Sequence, residues 1–121
     1  MFTTYGIRMI KIYKEKISKQ EMKGFLGNPF SDMIKFVVDI KKEIVAMGGE
    51  LHSDAEALLL ENGSAQGDLW GGNFYPANPQ ENQIEYSSLI NIRPSAGNRS
   101  MEVKDETVKA KMREVVQRLL L

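Results

Sequence analysis

The chain has no cysteine and a single histidine, His52, among its 121 residues. Without cysteine there can be no disulfide, no thiol nucleophile and no cysteine-ligated zinc. Proteins of a reducing compartment commonly have this composition, so we expect a cytoplasmic protein.

The chain also lacks net charge and long apolar runs. Sixteen basic side chains balance sixteen acidic ones, so no overall field draws the protein toward nucleic acid or an anionic membrane. No apolar run approaches the roughly 20 residues that span a bilayer, and the first residues lack the pattern of a signal peptide. We therefore expect a soluble protein that has neither membrane nor nucleic acid as a partner.

The length and composition predict one domain. Apolar residues make up 42% and charged residues 26% of the sequence, which is an ordinary globular balance. A chain of this length is long enough for one domain and too short for two. We assign 1–121 to a single domain, in which residues 1–8 form a ragged N-terminal extension ahead of the strongly patterned segment that begins at Met9.

Five segments have the alternation, or the β-branched and aromatic composition, that favours strands. They are 7–13, 33–40, 43–47, 68–75 and 84–93. Three helices start at capping residues, Ser18, Ser53 and Asp105, and the last carries apolar residues every three or four positions. The order β-α-β-β-α-β-β-α predicts an α+β domain. Its antiparallel or mixed sheet has about five strands, with two short helices and a C-terminal amphipathic helix packed on one face.

Three phrases of the sequence resemble a family of short, uncharacterised prokaryotic proteins. They are 48–56 (GGELHSDAE), 68–73 (DLWGGN) and 88–94 (SLINIRP). The resemblance covers nearly the whole chain from Met9 onward. It brings no activity, because the family has none assigned, but it implies that the three phrases belong to one place in the fold.

The first phrase surrounds His52 with carboxylates. In an extended segment Glu50, His52 and Asp54 would share one face, and one nitrogen with two oxygens suits a divalent metal. A capping box at Ser53 would instead turn Asp54 away, and a second histidine is lacking. We therefore assign no metal ligands, and a divalent cation stays an alternative cofactor that the pattern does not favour.

His52 and Asp54 are the candidate catalytic residues, because an imidazole titrates near neutral pH and a carboxylate can orient it. No nucleophile motif accompanies them. Arg93 would clamp an anionic substrate if the chain were a small metal-assisted or acid–base hydrolase. The residue types leave this enzyme as the alternative hypothesis.

The third phrase and the residues after it suit an anion. Arg93 and Arg99 flank a turn with Gly97 and Asn98, and guanidinium groups together with turn amides bind phosphate or carboxylate. Turn chemistry alone also explains Gly97 and Asn98, and no phosphate-loop spacing is present. We predict Arg93, Asn98 and Arg99 as candidate residues for a small anionic ligand.

Trp70 and Asn73 lie on opposite faces of the predicted strand 68–75. Asn73 and Asn91 both fall within otherwise apolar segments, where a buried amide needs hydrogen-bond partners. A binding cleft and a structural network would each supply them. We add Glu50, Trp70, Asn73 and Asn91 to the candidate ligand-binding residues.

The leading hypothesis is a small ligand-binding or protein-interaction module of unassigned role. Exposed strand edges must be paired or covered, so we expect a homo-oligomer. The basic face of the last helix, with Lys109, Lys111 and Arg113, could track nucleic-acid phosphates. Neighbouring glutamates and the neutral total charge argue against that role.

Overall fold

The computed structural model describes residues 10–27 and 29–121. The predicted extension 1–8 lies outside the described residues. In chain order the elements are β1 (Lys11–Tyr13), α1 (Lys19–Lys23), β2 (Ile34–Asp39), β3 (Ile44–Met47), α2 (His52–Glu61), β4 (Leu69–Phe74), β5 (Ile84–Glu85) and α3 (Glu106–Leu120). The α+β fold and the predicted order of strands and helices are confirmed.

The five strands form one antiparallel sheet in the order β1-β3-β2-β4-β5. Strand β2 is central, and its Val37 pairs with Ala46 of β3 and with Gly71 of β4. Strand β5 pairs only with Asn73 and Phe74. Within the described residues, the first half of β4 therefore has no strand on its outer side.

Helices cover both faces of the sheet, so the expectation that they share one face is wrong. On one face α3 packs against β2 to β4, with Phe36, Val38 and Trp70 in the larger apolar cluster. On the other face α2 packs on a smaller cluster that includes Val37 and Leu69. The physical reason lies in β2, where consecutive residues Phe36, Val37 and Val38 are all fully buried. A continuous apolar strand needs cover on both sides.

Two of the three predicted helix caps are confirmed. Ser18 Oγ accepts a hydrogen bond from the Glu21 backbone N–H at 3.1 Å. Asp105 Oδ1 accepts from the N–H groups of Thr107 and Val108 at 2.8 and 3.3 Å. Each bond satisfies a donor that the first helical turn leaves free.

The predicted cap at Ser53 is wrong. Helix α2 begins two residues earlier than that cap predicts, at His52, and Leu51 is the capping residue without a side-chain bond. The buried His52 side chain is held against β4 by a hydrogen bond to Gly72. That contact places His52 in the first turn and leaves Ser53 exposed.

The predicted strand 84–93 is much shorter than expected. Only Ile84–Glu85 is a strand, and the chain then makes 3-10 turns at Leu89–Asn91 and Pro94–Ala96. Ser88 starts the first turn, because its Oγ accepts a hydrogen bond from the Ile90 N–H at 3.2 Å. Serine side chains compete in this way with the backbone ladder of a sheet.

The β2–β3 hairpin is confirmed although its turn lacks glycine. Asp39 Oδ1 accepts from the N–H groups of Lys41 and Lys42 at 3.0 and 2.8 Å, and Asp39 Oδ2 accepts from Ser64 at 2.6 Å. Glu43 has a φ of 59°, a left-handed conformation that glycine or asparagine adopts more readily. The buried Asp39 carboxylate thus provides the turn chemistry that the sequence of the loop lacks.

Candidate functional site

A cleft of about 410 Å³ lies where α2 starts, beside β4, β5 and the turns after β5. We call it the His52 cleft. Its lining includes Lys35, Leu51, His52, Asn73, Glu85, Leu89 and Met101. All three phrases of the family resemblance contribute residues to it, as that resemblance implied.

His52 forms part of the floor of the cleft and is only 7% exposed. Its Nε2 lies 2.7 Å from the Gly72 carbonyl oxygen, which can only accept, so Nε2 carries the proton. Glycine at position 71 permits this approach. A Cβ there would lie 2.8 Å from Ser88 Cβ and 3.2 Å from His52 Cδ2.

Burial lowers the pKa of His52 from 6.5 to about 4, and the hydrogen bond to Gly72 opposes this only in part. The imidazole is therefore neutral at neutral pH. Such a weak base is poorly matched to proton transfer near pH 7. Burial therefore disfavours the acid–base role predicted for His52.

The carboxylates beside His52 in sequence do not join it in space. Glu50 is exposed, and Asp54 is half-buried in the first turn of α2. Neither forms a hydrogen bond with His52, whose described partner is Gly72. Among residues 10–27 and 29–121, no three histidine, aspartate or glutamate side chains form a group that could hold a metal ion.

A polar row crosses the floor of the cleft from strand to strand. Lys35 of β2 pairs with Asn73 of β4, which pairs with Glu85 of β5. Asn73 Nδ2 donates to Glu85 Oε1 at 2.8 Å, whereas the buried Oδ1 of Asn73 has no hydrogen-bond partner. Burial lowers the pKa of Lys35, and the charge of Glu85 opposes that shift. The cleft therefore presents one cation and one carboxylate.

The rim of the cleft is apolar and exposed. Leu51, Leu89 and Met101 expose 58, 71 and 44% of their surface, and all three line the cleft. The other large hydrophobic residues exposed in the described part of the chain, Leu60 and Ile92, lie outside it. Apolar side chains grouped in this way mark a binding surface more often than scattered ones do.

Arg93 does not line the His52 cleft. Its Nη2 donates to the Leu69 carbonyl oxygen, and its guanidinium carbon lies 4.5 Å from the centre of the Trp70 ring. Its acidic neighbour is Glu56, whose Oε2 lies 3.9 Å from Arg93 Nη2. Burial lowers the pKa of Arg93, and Glu56 opposes the shift. This geometry gives Arg93 a structural role against Trp70.

Asn91 takes the place of a strand beside β4. Its Oδ1 accepts from the Gly71 N–H at 2.9 Å, and its Nδ2 donates to the Gly71 and Met101 carbonyl oxygens, each at 3.0 Å. The amide thus pairs with the outer edge of β4 where a longer β5 would continue. All of these bonds are internal to the fold, which satisfies the buried amide without a ligand.

Asn98 organises the loop between β5 and α3 in a similar way. Its Nδ2 contacts the carbonyl oxygens of Asn91, Ser100 and Glu102 at 2.8, 2.9 and 3.1 Å. Its Oδ1 accepts from the Lys104 N–H at 2.9 Å. With Oδ1 and Nδ2 both engaged inside the loop, Asn98 is positioned to hold this segment in shape.

Of the candidate residues, the structure brings only His52 and Asn73 into one cleft. Trp70 is buried under α3, and Arg99 and Glu50 are exposed outside the lining. Sequence reasoning missed Lys35, Glu85 and the three apolar residues of the rim. The strand register would have found the first two, because both are cross-strand neighbours of Asn73.

No helix in the described part of the chain combines the length and apolar character needed to cross a bilayer. The chain matches no curated protein and no solved structure. A family model described as a protein of unknown function, DUF5674, matches residues 11–119. The predicted resemblance to an uncharacterised family is thereby confirmed, and the chain belongs to the DUF5674 family.

Proposed function

We propose that this chain is a protein-interaction module and that the His52 cleft joins two copies of it. The observation that carries the proposal is the grouping of Leu51, Leu89 and Met101, all exposed, around one polar-floored cleft. Exposed apolar side chains that are grouped in one patch are a mark of a protein–protein contact surface.

The energetic argument comes from the exposed apolar area. Covering a side chain such as Leu89 is worth roughly 1.5–3 kcal/mol when burial is complete. In a two-fold dimer each contact occurs twice, because the same patch is used by both copies. Three apolar residues in each copy therefore offset part of the association cost of several kcal/mol.

The charges of the cleft suit a second copy of the same chain. A two-fold interface must be complementary to itself, so a patch of one sign would repel its own copy. The His52 cleft contains both Lys35 and Glu85. The chain as a whole has a net charge of zero, so long-range repulsion between copies is absent.

Light scattering across a concentration series tests this proposal. We expect the wild-type chain to reach the mass of a dimer as concentration rises, and Leu89→Ser to remain a monomer with an unchanged melting temperature. Leu60→Ser is the matched control, because Leu60 is exposed but lies outside the cleft. A wild-type monomer at high concentration, or equal effects of the two substitutions, would overturn the proposal.

We also propose that the protein acts in the cytoplasm, as its cysteine-free composition suggests. Fractionation of cells that produce the untagged protein tests this. Recovery in a membrane or extracellular fraction would contradict it.

A further inference from the structure

A second cleft, of about 480 Å³, lies next to α1 and shares no lining residue with the His52 cleft. We call it the α1 cleft. The segment before α1 is tied to the end of α3, because the Ile17 N–H donates to the Leu119 carbonyl oxygen at 2.9 Å. The cleft is therefore built by two helices and the residues after β4, and not by one flexible loop.

The floor of the α1 cleft is apolar. Six of its residues are large and hydrophobic, and four of those six are buried in the core. They are Ile17, Met22, Leu26, Phe74, Leu120 and Leu121. The volume falls in the range of roughly 300–1,000 Å³ that small-molecule sites occupy.

The charged side chains on the rim of the α1 cleft are all lysines. Lys16, Lys19 and Lys23 line it and are exposed, and no acidic side chain lines it. In the described part of the chain none of the three lysines forms an ion pair. In a protein of zero net charge, three unpaired cations around one apolar hollow are a local concentration of positive charge.

We propose that the α1 cleft binds a free fatty carboxylate of medium chain length. The alkyl chain lies on the apolar floor, where each buried methylene strengthens binding about fourfold. The carboxylate lies at the rim, within reach of the ammonium groups of Lys19 and Lys23. Lysine suits this position, since its stem covers apolar surface while its charge stays in water.

Calorimetric titration with dodecanoate, below its micelle concentration, tests the proposal. We expect saturable binding of one molecule per chain. Decanoate should bind roughly fifteenfold more weakly, because two methylenes are lost. Dodecyltrimethylammonium, which has the same alkyl chain and the opposite charge, should bind at least roughly tenfold more weakly than dodecanoate.

Two variants and one control test whether dodecanoate binds in the α1 cleft. Lys19→Ala/Lys23→Ala should weaken dodecanoate binding roughly tenfold, the effect of two exposed ion pairs. Lys11→Ala/Lys14→Ala is the matched control, because it removes the same charge from exposed lysines outside the cleft and should change affinity less than twofold. Ala77→Trp, at an exposed position of the cleft wall, should block binding and leave the melting temperature unchanged.

Three results would overturn the proposal. The first is no heat of binding with dodecanoate at any concentration below the micelle limit. The second is equal weakening by the two lysine pairs, which would indicate only non-specific attraction. The third is binding to vesicles of anionic phospholipid without binding of free dodecanoate, which would assign the cleft to a membrane surface.

Discussion

The His52 imidazole donates through Nε2 to the Gly72 carbonyl oxygen, 2.7 Å away, and this bond joins the first turn of α2 to the middle of β4. Both residues are buried. The bond keeps a neutral imidazole in the interior, where its pKa falls to about 4. Between about pH 4 and pH 6.5, His52 is therefore neutral in the folded chain and protonated in the unfolded chain.

The free energy of unfolding should fall as the pH is lowered from 6.5 to about 4, because His52 titrates differently in the folded and unfolded chains. In this window the unfolded chain binds a proton at His52 and the folded chain does not, so the free energy of unfolding decreases with decreasing pH. The shift from 6.5 to about 4 corresponds to roughly 3 kcal/mol at the acid end. Urea denaturation at pH 7 and at pH 4 measures this loss of unfolding free energy.

His52→Gln is the control for this pH dependence. Glutamine does not titrate, so the variant should lose less stability between pH 7 and pH 4 than the wild type. Protonation of carboxylates affects both proteins and cancels in the difference. Equal losses in the two proteins would show that the His52 pKa is not lowered by folding.

Replacing Asn91 should destabilise the chain strongly. In Asn91→Ala the Gly71 N–H and carbonyl groups lose their partner within a buried setting, and each unsatisfied group costs about 1–3 kcal/mol. Chemical denaturation should show a loss of roughly 2–4 kcal/mol. Asn82→Ala, at an exposed position, should change stability by less than about 0.5 kcal/mol; comparable losses would contradict the strand-like role of Asn91.

Gly72 should tolerate no side chain. A Cβ there would lie 2.6 Å from Phe36 Cζ and 2.7 Å from the Glu85 backbone oxygen. Gly72→Ala should therefore cost about 1–3 kcal/mol through overpacking. Gly67→Ala is the control, because nothing lies within 4 Å of the added Cβ. Thermal denaturation of both variants measures the difference, and similar melting temperatures would contradict the close packing at Gly72.

Arg93 should shield the ring of Trp70, the only tryptophan of the chain, from water. The guanidinium lies over the Trp70 ring, so Arg93→Ala removes a covering group and should shift the fluorescence emission to longer wavelength. Arg93→Lys should shift it less, since it keeps the charge but loses the planar group. Arg99→Ala, at an exposed residue, should leave the spectrum unchanged. An unchanged spectrum in Arg93→Ala would contradict the contact.

The fold could be predicted largely from local chemistry. The β-branched run around Val37 and the regular spacing of apolar residues in α3 each favour one type of element. The caps at Ser18 and Asp105 use side chains that bond within three residues. Signals of this kind need no knowledge of the rest of the chain.

The candidate site was harder to predict because it depends on long-range contacts. Asn91 hydrogen-bonds to Gly71, 20 residues earlier in sequence. Its side chain thus takes the position of the longer strand that the composition of residues 84–93 predicts. His52 bonds to Gly72 over the same separation, and this contact overrides the local cap at Ser53. Arg93 is a plausible anion ligand by type, but its contacts with Trp70 and Leu69 appear only when the sheet is assembled.

The edge of the sheet at the start of β4 has a consequence for self-assembly into fibres. The Leu69 carbonyl and both backbone groups of Gly71 are already bonded to side chains. An incoming extended peptide would have to break those bonds before it could add to the sheet there. Side chains in place of a neighbouring strand thus make this edge a poor template for aggregation.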